Sequence, residues 1–175
     1  MRQSILRYFI SLLLVSLCIC SATSIFIISG SMKEDSEREM MYSVKLIEYN
    51  LDYSKDLNTQ IETLNPLAFS DDTRISIIDE KGKVLADTYK NDISSNHLKR
   101  EEVQQALHSS NHEGYAMRRS ETTNQPLLYA AYYKDTHIIR LSIPYSGVWG
   151  YFPELAPAFA ISILISILFS YIVAR

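Results

Sequence analysis

Two long uncharged stretches enclose a middle part whose apolar residues recur first with a helical and then with a strand period. Residues 8–32 and 155–174 contain no Asp, Glu, Lys or Arg. As α-helices they would be roughly 37 and 30 Å long, enough to cross a hydrocarbon core of about 30 Å. The pattern predicts transmembrane helices at 8–32 and 153–174. A cleaved signal peptide is the alternative for the first, but its apolar run is too long for the core of such a peptide.

The middle part begins with a helical pattern. Four apolar residues recur at spacings of four, three and four, as on one face of a helix: Met40, Val44, Ile47 and Leu51. The phase of this stripe then changes, and Asn65-Pro66 is a pair that ends helices. We predict a long helix that follows directly from the first span, bends near residues 50–54 and ends before Pro66.

After Pro66 the apolar period becomes two, which is typical of strands. It predicts a hairpin at 74–87, a short helix at 98–108 with Asn96 as its N-cap, and three strands at 114–120, 127–133 and 139–143. We expect a five-stranded antiparallel sheet with the helices packed on one face, which is an α+β domain over residues 33–150.

Charged residues predict how the chain lies across the membrane. All 20 Asp and Glu residues lie between Glu34 and Glu154, whereas Arg2 and Arg7 precede the first span and Arg175 follows the second. Basic residues beside a span favour the cytoplasm. We therefore expect a cytoplasmic N-terminus at 1–7, an extracytoplasmic middle and a cytoplasmic linker that starts at 175. The acidic middle also argues against nucleic-acid binding.

One cluster of side chains on two neighbouring predicted strands has the chemistry of a ligand site. It comprises Arg118 and Arg119 on one strand and Tyr129, Tyr132 and Tyr133 on the next. Arginine beside tyrosine can bind the carboxylate or phosphate of a small ligand. The alternative is that the tyrosines belong to the core and the arginines to the surface.

Catalytic and metal-binding motifs are not evident. The sequence has no phosphate-binding loop, dinucleotide fingerprint or nucleophile elbow. His108 and His112 are four residues apart but lack a third ligand at a useful spacing. We predict no catalytic residue, metal or cofactor within this chain.

The second predicted span and the connection that leads to it suggest a role in signal transmission. The candidates for the transmission joint are Ser146, Gly147, Trp149, Pro153 and Pro157. Small residues recur every fourth position on one face of the span: Ala158, Ser162, Ser166 and Ser170. Such a face lets another helix approach closely, although serine is also simply tolerated in membrane helices.

Several segments resemble one family of membrane receptors. Residues 74–87, RISIIDEKGKVLAD, resemble the strand, D-x-x-G, V-L-A-D hairpin of extracytoplasmic sensor domains. Residues 96–107 resemble the N-H-x-x-R-x-E-x-x-x-A helix of phosphate-regulon (PhoR-like) sensor histidine kinases, and the strands at 119–131 and 138–144 resemble those of the same family. The resemblance covers the whole chain, as the N-terminal sensor region.

This resemblance implies a PAS-like Cache (PDC) domain between two membrane helices, in a homodimer that responds to an extracytoplasmic ligand or protein partner. ATP, Mg²⁺ and the response regulator would belong to the parent kinase. The alternatives are the sensor module of a chemoreceptor or cyclic-nucleotide cyclase, or a stand-alone two-span envelope binding protein. One basic residue is a meagre cytoplasmic tail, so we expect the chain to be the first portion of a larger receptor.

Overall fold

The computed structural model describes residues 2–68, 72–89, 96–120 and 124–174. The chain divides into two units. One unit is Glu34–Tyr145, and the other combines Met1–Lys33 with Ser146–Arg175.

The helices and strands follow the predicted order. The α-helices are α1 (Arg2–Asn50), α2 (Leu57–Leu64), α3 (Glu101–His108) and α4 (Phe152–Ala174), with short 3₁₀ helices at Asn65–Leu67 and Gly147–Tyr151. The strands are β1 (Arg74–Asp79), β2 (Val84–Asp87), β3 (Glu113–Arg119), β4 (Pro126–Lys134) and β5 (His137–Pro144).

The five strands form one antiparallel sheet in the order β2-β1-β5-β4-β3. The last strand, β5, lies in the middle, where it pairs with β1 from Asp79↔His137 to Arg74↔Ser142 and with β4 along its whole length. The predicted α+β class, the long N-terminal helix and the five-stranded antiparallel sheet are therefore confirmed.

Helices cover both faces of the sheet, so the expectation that they pack on one face was wrong. On one face α1 and α2 contribute Met40, Val44, Ile47 and Ile61 to a core that includes Ile75, Ile77, Leu128 and Leu141. On the other face α3 contributes Val103 and Ala106, which pack with Ile78, Val84, Ala131 and Ile138. The physical reason is that the central strands carry apolar residues on the second face as well, among them Ile78, Ala131 and Ile138, and these also need cover.

The turn between α1 and α2 confirms the predicted bend. The backbone N–H of Asp52 donates to Oε1 of Gln60, and Nε2 of Gln60 donates back to the carbonyl of Asp52, both at 2.8 Å. Asp56 is the N-cap of α2, where its carboxylate accepts a 2.8 Å bond from the backbone of Thr59. The hydroxyl of Thr59 also donates to this carboxylate, at 2.6 Å, and together with the backbone bond it lowers the pKa of the Asp56 carboxyl.

The sequence suggested that Asn96 caps α3, but in the structure it does not. Its Nδ2 donates to the carbonyl of Lys81 at 2.7 Å and its Oδ1 accepts from the backbone of Leu98 at 2.9 Å. The helix itself begins at Glu101, with Arg100 in the cap position. Asn96 thus ties the segment before α3 to the β1–β2 turn, where Gly82 adopts a φ of 81°.

The apolar ends form helices that match the predicted spans in position. Among the described residues one helix, Val15–Asn50 within α1, is long and apolar enough to cross a membrane, with a mean hydropathy of 1.8 in its most apolar window. The 23 residues of α4 are roughly 35 Å long. That both helices cross a bilayer stays a prediction.

The predicted small-residue face of α4 is described in part. The hydroxyl of Ser162 donates to the carbonyl of Ala158 at 2.9 Å, within the helix itself. The side chains of Ser166 and Ser170, and residue Arg175, lie outside the described part of the chain. Packing along this face stays a prediction.

The close approach of α3 to β3 at Gly114 gives a test of the fold. A Cβ at Gly114 would overlap the carbonyl oxygen of Glu102 and lie 2.7 Å from the backbone nitrogen of Ala106. We expect Gly114→Ala to lower the free energy of unfolding by about 1–3 kcal/mol, measured by denaturation of the full chain in detergent. Gly30→Ala is the control, because nothing lies within 4 Å of the added carbon. Equal stability of the two variants would contradict the packing of α3.

Candidate functional site

A row of charged and hydroxyl side chains lies on the face of the sheet that α3 covers. We call it the polar chain, and its members are Arg74, Ser76, Asp87, Glu102, Arg118 and Arg140. Every one of these residues lies on a strand except Glu102, which lies on α3. The polar chain therefore links α3 to four strands of the sheet.

Asp87 anchors one end of the polar chain. Its fully buried carboxylate accepts bonds of 2.9 Å from both Nε and Nη2 of Arg74, and one of 2.8 Å from the hydroxyl of Ser76. This two-pronged geometry is the strong form of the arginine–carboxylate pair. The same carboxylate accepts from the backbone of Tyr89 at 2.8 Å, which fixes the chain just after β2.

Glu102 anchors the other end. Its buried carboxylate receives Nη1 and Nη2 of Arg118 at 2.6 and 3.0 Å, and Nη1 of Arg140 lies 3.6 Å away. Arg140 also donates to Ser76 at 3.0 Å, which joins the two ends. The ring of Tyr129 lies under the guanidinium of Arg118, with the Cζ atom 3.6 Å from the ring centroid.

Burial and charge act against each other on these groups. Burial raises the pKa of the Glu102 carboxyl, but the hydrogen bond and charge of Arg118, with the charge of Arg140, bring it below its usual value. Burial lowers the pKa of the Arg140 guanidinium, and the nearby charge of Arg74 lowers it further. Among the described residues, three guanidinium groups in the polar chain face two carboxylates, so Arg140 has no carboxylate of its own.

The structure brings together only part of the cluster that the sequence singled out. Arg118 and Tyr129 lie on the α3 side, where Arg118 binds Glu102. Arg119 and Tyr132 lie on the opposite side, because consecutive strand residues alternate between faces. Arg119 donates to the carbonyl of Asn124 at 2.9 Å, and Tyr132 packs against the α1 core with Lys45 over its ring. Tyr133 bonds to Glu80 and Asp135.

A pocket of about 300 Å³ opens beside the Arg74 end of the polar chain. Its wall contains Arg74, Tyr89, Ser120, Gln125, Leu127 and Ser142, with Asp72 and Pro144 completing it. Ser142 is 4% exposed, and its hydroxyl forms no hydrogen bond with the described residues. The guanidinium carbon of Arg74 lies 5.5 Å from the ring centroid of Tyr89. A half-buried cation, the hydroxyl of the buried Ser142 and an aromatic ring thus line one small cavity, as in ligand sites.

A larger cavity of about 370 Å³ lies between α1 and β3. Its charges are largely paired within the protein: Lys45 binds Glu113 at 2.6 Å, and Glu113 also accepts from the hydroxyl of Tyr115 at 3.0 Å. Arg74 in the smaller pocket is also paired, with Asp87, but Ser142 adds a hydroxyl that forms no hydrogen bond with the described residues. We therefore assign the candidate ligand site to the smaller pocket.

Sequence reasoning missed this pocket. Arg74 and Asp87 stand at the two ends of the predicted hairpin, and a buried ion pair between them was a readable signal. No sequence pattern pointed to Ser142 and Gln125 as pocket residues. Their proximity depends on the pairing of β4 with β5 and on the position of the residues just before β4.

Comparisons with known proteins support the fold. No protein-family model matches the chain, and no curated protein matches it. The Bacillus subtilis YkuI protein, solved with an EAL domain and in complex with c-di-GMP and calcium, is similar with a TM-score of 0.52 and 18% identity over 73% of this chain. The chain spans 36% of the length of YkuI. At this identity the similarity shows a shared fold.

Two receptor structures are also similar. A methyl-accepting chemotaxis protein from Vibrio parahaemolyticus has a TM-score of 0.49 and 18% identity, with 70% of this chain and 97% of that chain covered. The ligand-binding domain of the Campylobacter jejuni chemoreceptor Tlp3, in complex with L-valine, has a TM-score of 0.48 and 17% identity. The match covers 69% of this chain and 56% of that chain.

The buried carboxylate of Glu102 gives a test of the polar chain. We expect Glu102→Gln to lower the free energy of unfolding at pH 7 by about 3–5 kcal/mol, because Arg118 and Arg140 lose their buried counter-charge. Denaturant titration of the full chain measures this, with the exposed neighbour Glu101→Gln as control.

The effect has a defined pH dependence. The folded pKa of Glu102 lies below the unfolded value of about 4.3. The stabilisation is therefore complete above that value and disappears as the pH falls through the folded pKa. The difference between the wild-type chain and Glu102→Gln should shrink below about pH 4. A difference that is constant with pH would contradict this role of the carboxylate.

Proposed function

We propose that this chain is the membrane-bound input module of a sensor protein. In this proposal residues 33–150 are a PAS-like Cache domain outside the cell, and the helices at 8–32 and 153–174 cross the membrane. The observation that carries it is the direct continuity between the α+β domain and two apolar helices. α1 is one helix from Arg2 to Asn50, and β5 is separated from α4 by the short 3₁₀ helix Gly147–Tyr151.

The pocket beside Arg74 is the proposed ligand site, and a small anion is the ligand class that its guanidinium and hydroxyl donors suit. A ligand there contacts β1 through Arg74 and β5 through Ser142. Binding shifts the population between two arrangements of the domain, and the movement of β5 displaces α4 relative to α1. The set that sequence analysis singled out is not the site we favour, because two of its members face the other side of the sheet: Arg118, Arg119, Tyr129 and Tyr132.

The joint between β5 and α4 is proposed to transmit this movement. Ser146 precedes the 3₁₀ helix, Gly147 within it has a φ of 55°, and Trp149 is exposed. Pro153 and Pro157 fall in the first turns of α4, where proline removes hydrogen bonds and permits a kink. Small-residue packing along Ala158, Ser162, Ser166 and Ser170 is proposed to bring two α4 helices together.

A sensor histidine kinase of the phosphate-regulon class is the parent protein we propose. The support is the likeness of residues 74–87 and 96–107 to the motifs of that family. ATP, Mg²⁺ and a response regulator would then act on other domains of the parent. The alternatives are a chemoreceptor, a cyclase or a stand-alone envelope protein, and in the first two this chain keeps the same input role.

Trp149 is the chain's single tryptophan and gives a direct test of membrane insertion. It is 69% exposed and lies just before α4, where aromatic residues occupy the membrane interface. In lipid vesicles we expect its fluorescence to shift to the blue and to be quenched by lipids brominated near the headgroup. Emission that is unchanged by vesicles and fully quenched by aqueous iodide would contradict the second span.

Ligand binding is tested on the full chain in detergent by thermal denaturation with small carboxylates and inorganic phosphate. A true ligand at 100 times its Kd should stabilise the fold by about 2.7 kcal/mol. Ser142→Ala should weaken this effect, and the exposed Ser110→Ala should leave it unchanged. No stabilisation by any of these anions, or an equal response from both variants, would rule out an anion site in this pocket.

A further inference from the structure

The larger cavity, of about 370 Å³ between α1 and β3, has a wall whose chemistry differs from that of the pocket beside Arg74. We call it the α1–β3 cavity. Three carboxylates line it, Glu34 and Glu37 from α1 and Glu113 from β3, together with the phenol rings of Tyr42 and Tyr115. Carboxylates and aromatic faces are the groups that attract a cation.

The charge of this wall is negative. Its three carboxylates face two cationic side chains, Arg38 and Lys45. Nη2 of Arg38 donates to Asp35 at 3.1 Å, so part of the charge of Arg38 is balanced by a carboxylate outside the wall. The cavity therefore suits a ligand of the opposite charge to the anion proposed for the smaller pocket.

Lys45 shows what kind of cation fits. Its Nζ lies 2.6 Å from Oε1 of Glu113 and 5.2 Å from the ring centroid of Tyr132. An alkylammonium group of the chain itself is thus held here by a carboxylate and an aromatic ring. Glu113 is fixed for this role, because its second oxygen accepts from the hydroxyl of Tyr115 and from Nδ2 of Asn111, both at 3.0 Å.

The phenol of Tyr115 responds to the same negative surroundings. Burial raises the pKa of this phenol, and the hydrogen bond and charge of Glu113, together with the charge of Glu37, raise it further. Two carboxylates, one from β3 and one from α1, therefore act on a single point of the cavity wall. A cation that bound at this point would interact favourably with both.

The rest of the wall favours an organic cation over a metal ion. Met41, which is 4% exposed, and the rings of Tyr42 and Tyr115 supply apolar surface for a carbon chain. Within the part of the chain that the structure describes, no group of three His, Cys, Asp or Glu side chains could hold a metal ion. An ammonium ion with a short apolar body matches both properties.

We propose that the α1–β3 cavity binds a primary alkylammonium ion, with its nitrogen between Glu37 and Glu113 and its carbon chain against Met41 and the phenol rings. A primary ammonium has three N–H donors for the carboxylate oxygens of the wall. Bound there, it joins α1 to β3 and stabilises the packing of α1 on the sheet. This site is separate from the pocket beside Arg74 and does not depend on it.

Soluble amines and the ethanolamine headgroup of phospholipids both carry a primary ammonium group. Glu34 follows the predicted span at 8–32 by two residues, so the cavity wall begins next to the headgroups if that span crosses the membrane. The lipid source therefore rests on the proposed function, and the soluble source does not. Measurements in detergent and in vesicles separate the two.

Thermal denaturation of the full chain in lipid-free detergent tests the soluble source. The probe is propylamine hydrochloride at pH 7, with sodium chloride at the same ionic strength and propanol as the charge and shape controls. We expect propylamine alone to raise Tm. Glu37→Gln should raise the concentration for half of this effect about tenfold, because a charged hydrogen-bond partner is lost. Glu39→Gln is the matched control, since it removes the same charge from α1 outside the wall.

Lys45→Ala gives a second and opposite test. The substitution removes three carbons and the ammonium group, which are the atoms of propylamine, and it leaves Glu113 without its cation. Propylamine should therefore raise the Tm of this variant at about a tenfold lower concentration than it does for the wild-type chain. An effect no stronger than in the wild-type chain would contradict the assignment.

The lipid source is tested in phosphatidylcholine vesicles with and without phosphatidylethanolamine. If the headgroup binds, the ethanolamine lipid should raise the Tm of the wild-type chain and of Glu39→Gln, but not that of Glu37→Gln. Stabilisation by propylamine alone identifies a soluble ligand, and stabilisation by the lipid alone identifies the headgroup.

The proposal is overturned if neither propylamine nor the ethanolamine lipid stabilises the wild-type chain more than its controls, or if Glu37→Gln and Glu39→Gln respond equally. The anion measurements with Ser142→Ala bear on the pocket beside Arg74 alone, so failure of one site is distinguishable from failure of the other.

Discussion

The architecture of the α+β domain depends on the pairing of the buried Glu102 carboxylate with Arg118 and Arg140. A buried carboxylate without partners would be very costly, and this one is stable where two guanidinium groups meet it. The pairing fixes α3 against β3 and β5 at once, since Glu102 lies on the helix and the arginines on the strands. Gly114 permits it sterically, because α3 approaches β3 more closely than any side chain would allow.

The contacts that begin at Glu102 continue to the candidate ligand pocket. Arg140 connects Glu102 to Ser76, and Ser76 connects to Asp87, which holds Arg74 by two bonds. The cation on the pocket wall is therefore held in place before any ligand arrives. Such preorganisation reduces the entropy lost on binding. The pocket and the route to α4 also share one strand, because Ser142 and Arg140 both belong to β5.

Local patterns predicted the elements well, and the long-range contacts poorly. The stripe of α1, the hairpin at 74–87 and the three last strands were evident from apolar spacing, and the structure places each within a few residues. The partition of Arg118 and Arg119, or of Tyr129 and Tyr132, onto opposite faces followed from strand alternation and could have been read from the sequence. The pairing of Glu102 with Arg140 could not, because it depends on where α3 crosses the sheet. That α3 covers the second face of the sheet could not be predicted either, because it depends on the same position of α3.

The position of β5 in the middle of the sheet has a mechanical consequence. The strand that leads towards α4 is bonded along both of its edges, to β1 and to β4. In an antiparallel pair these bonds run perpendicular to the strands, so a pull on Pro144 along the strand axis loads two ladders in shear, all bonds at once. Such a strand resists being peeled away and transmits force as a stiff rod. A signal that leaves the domain through β5 would therefore displace the sheet as a whole, and little of the movement would be lost to local unfolding of the strand.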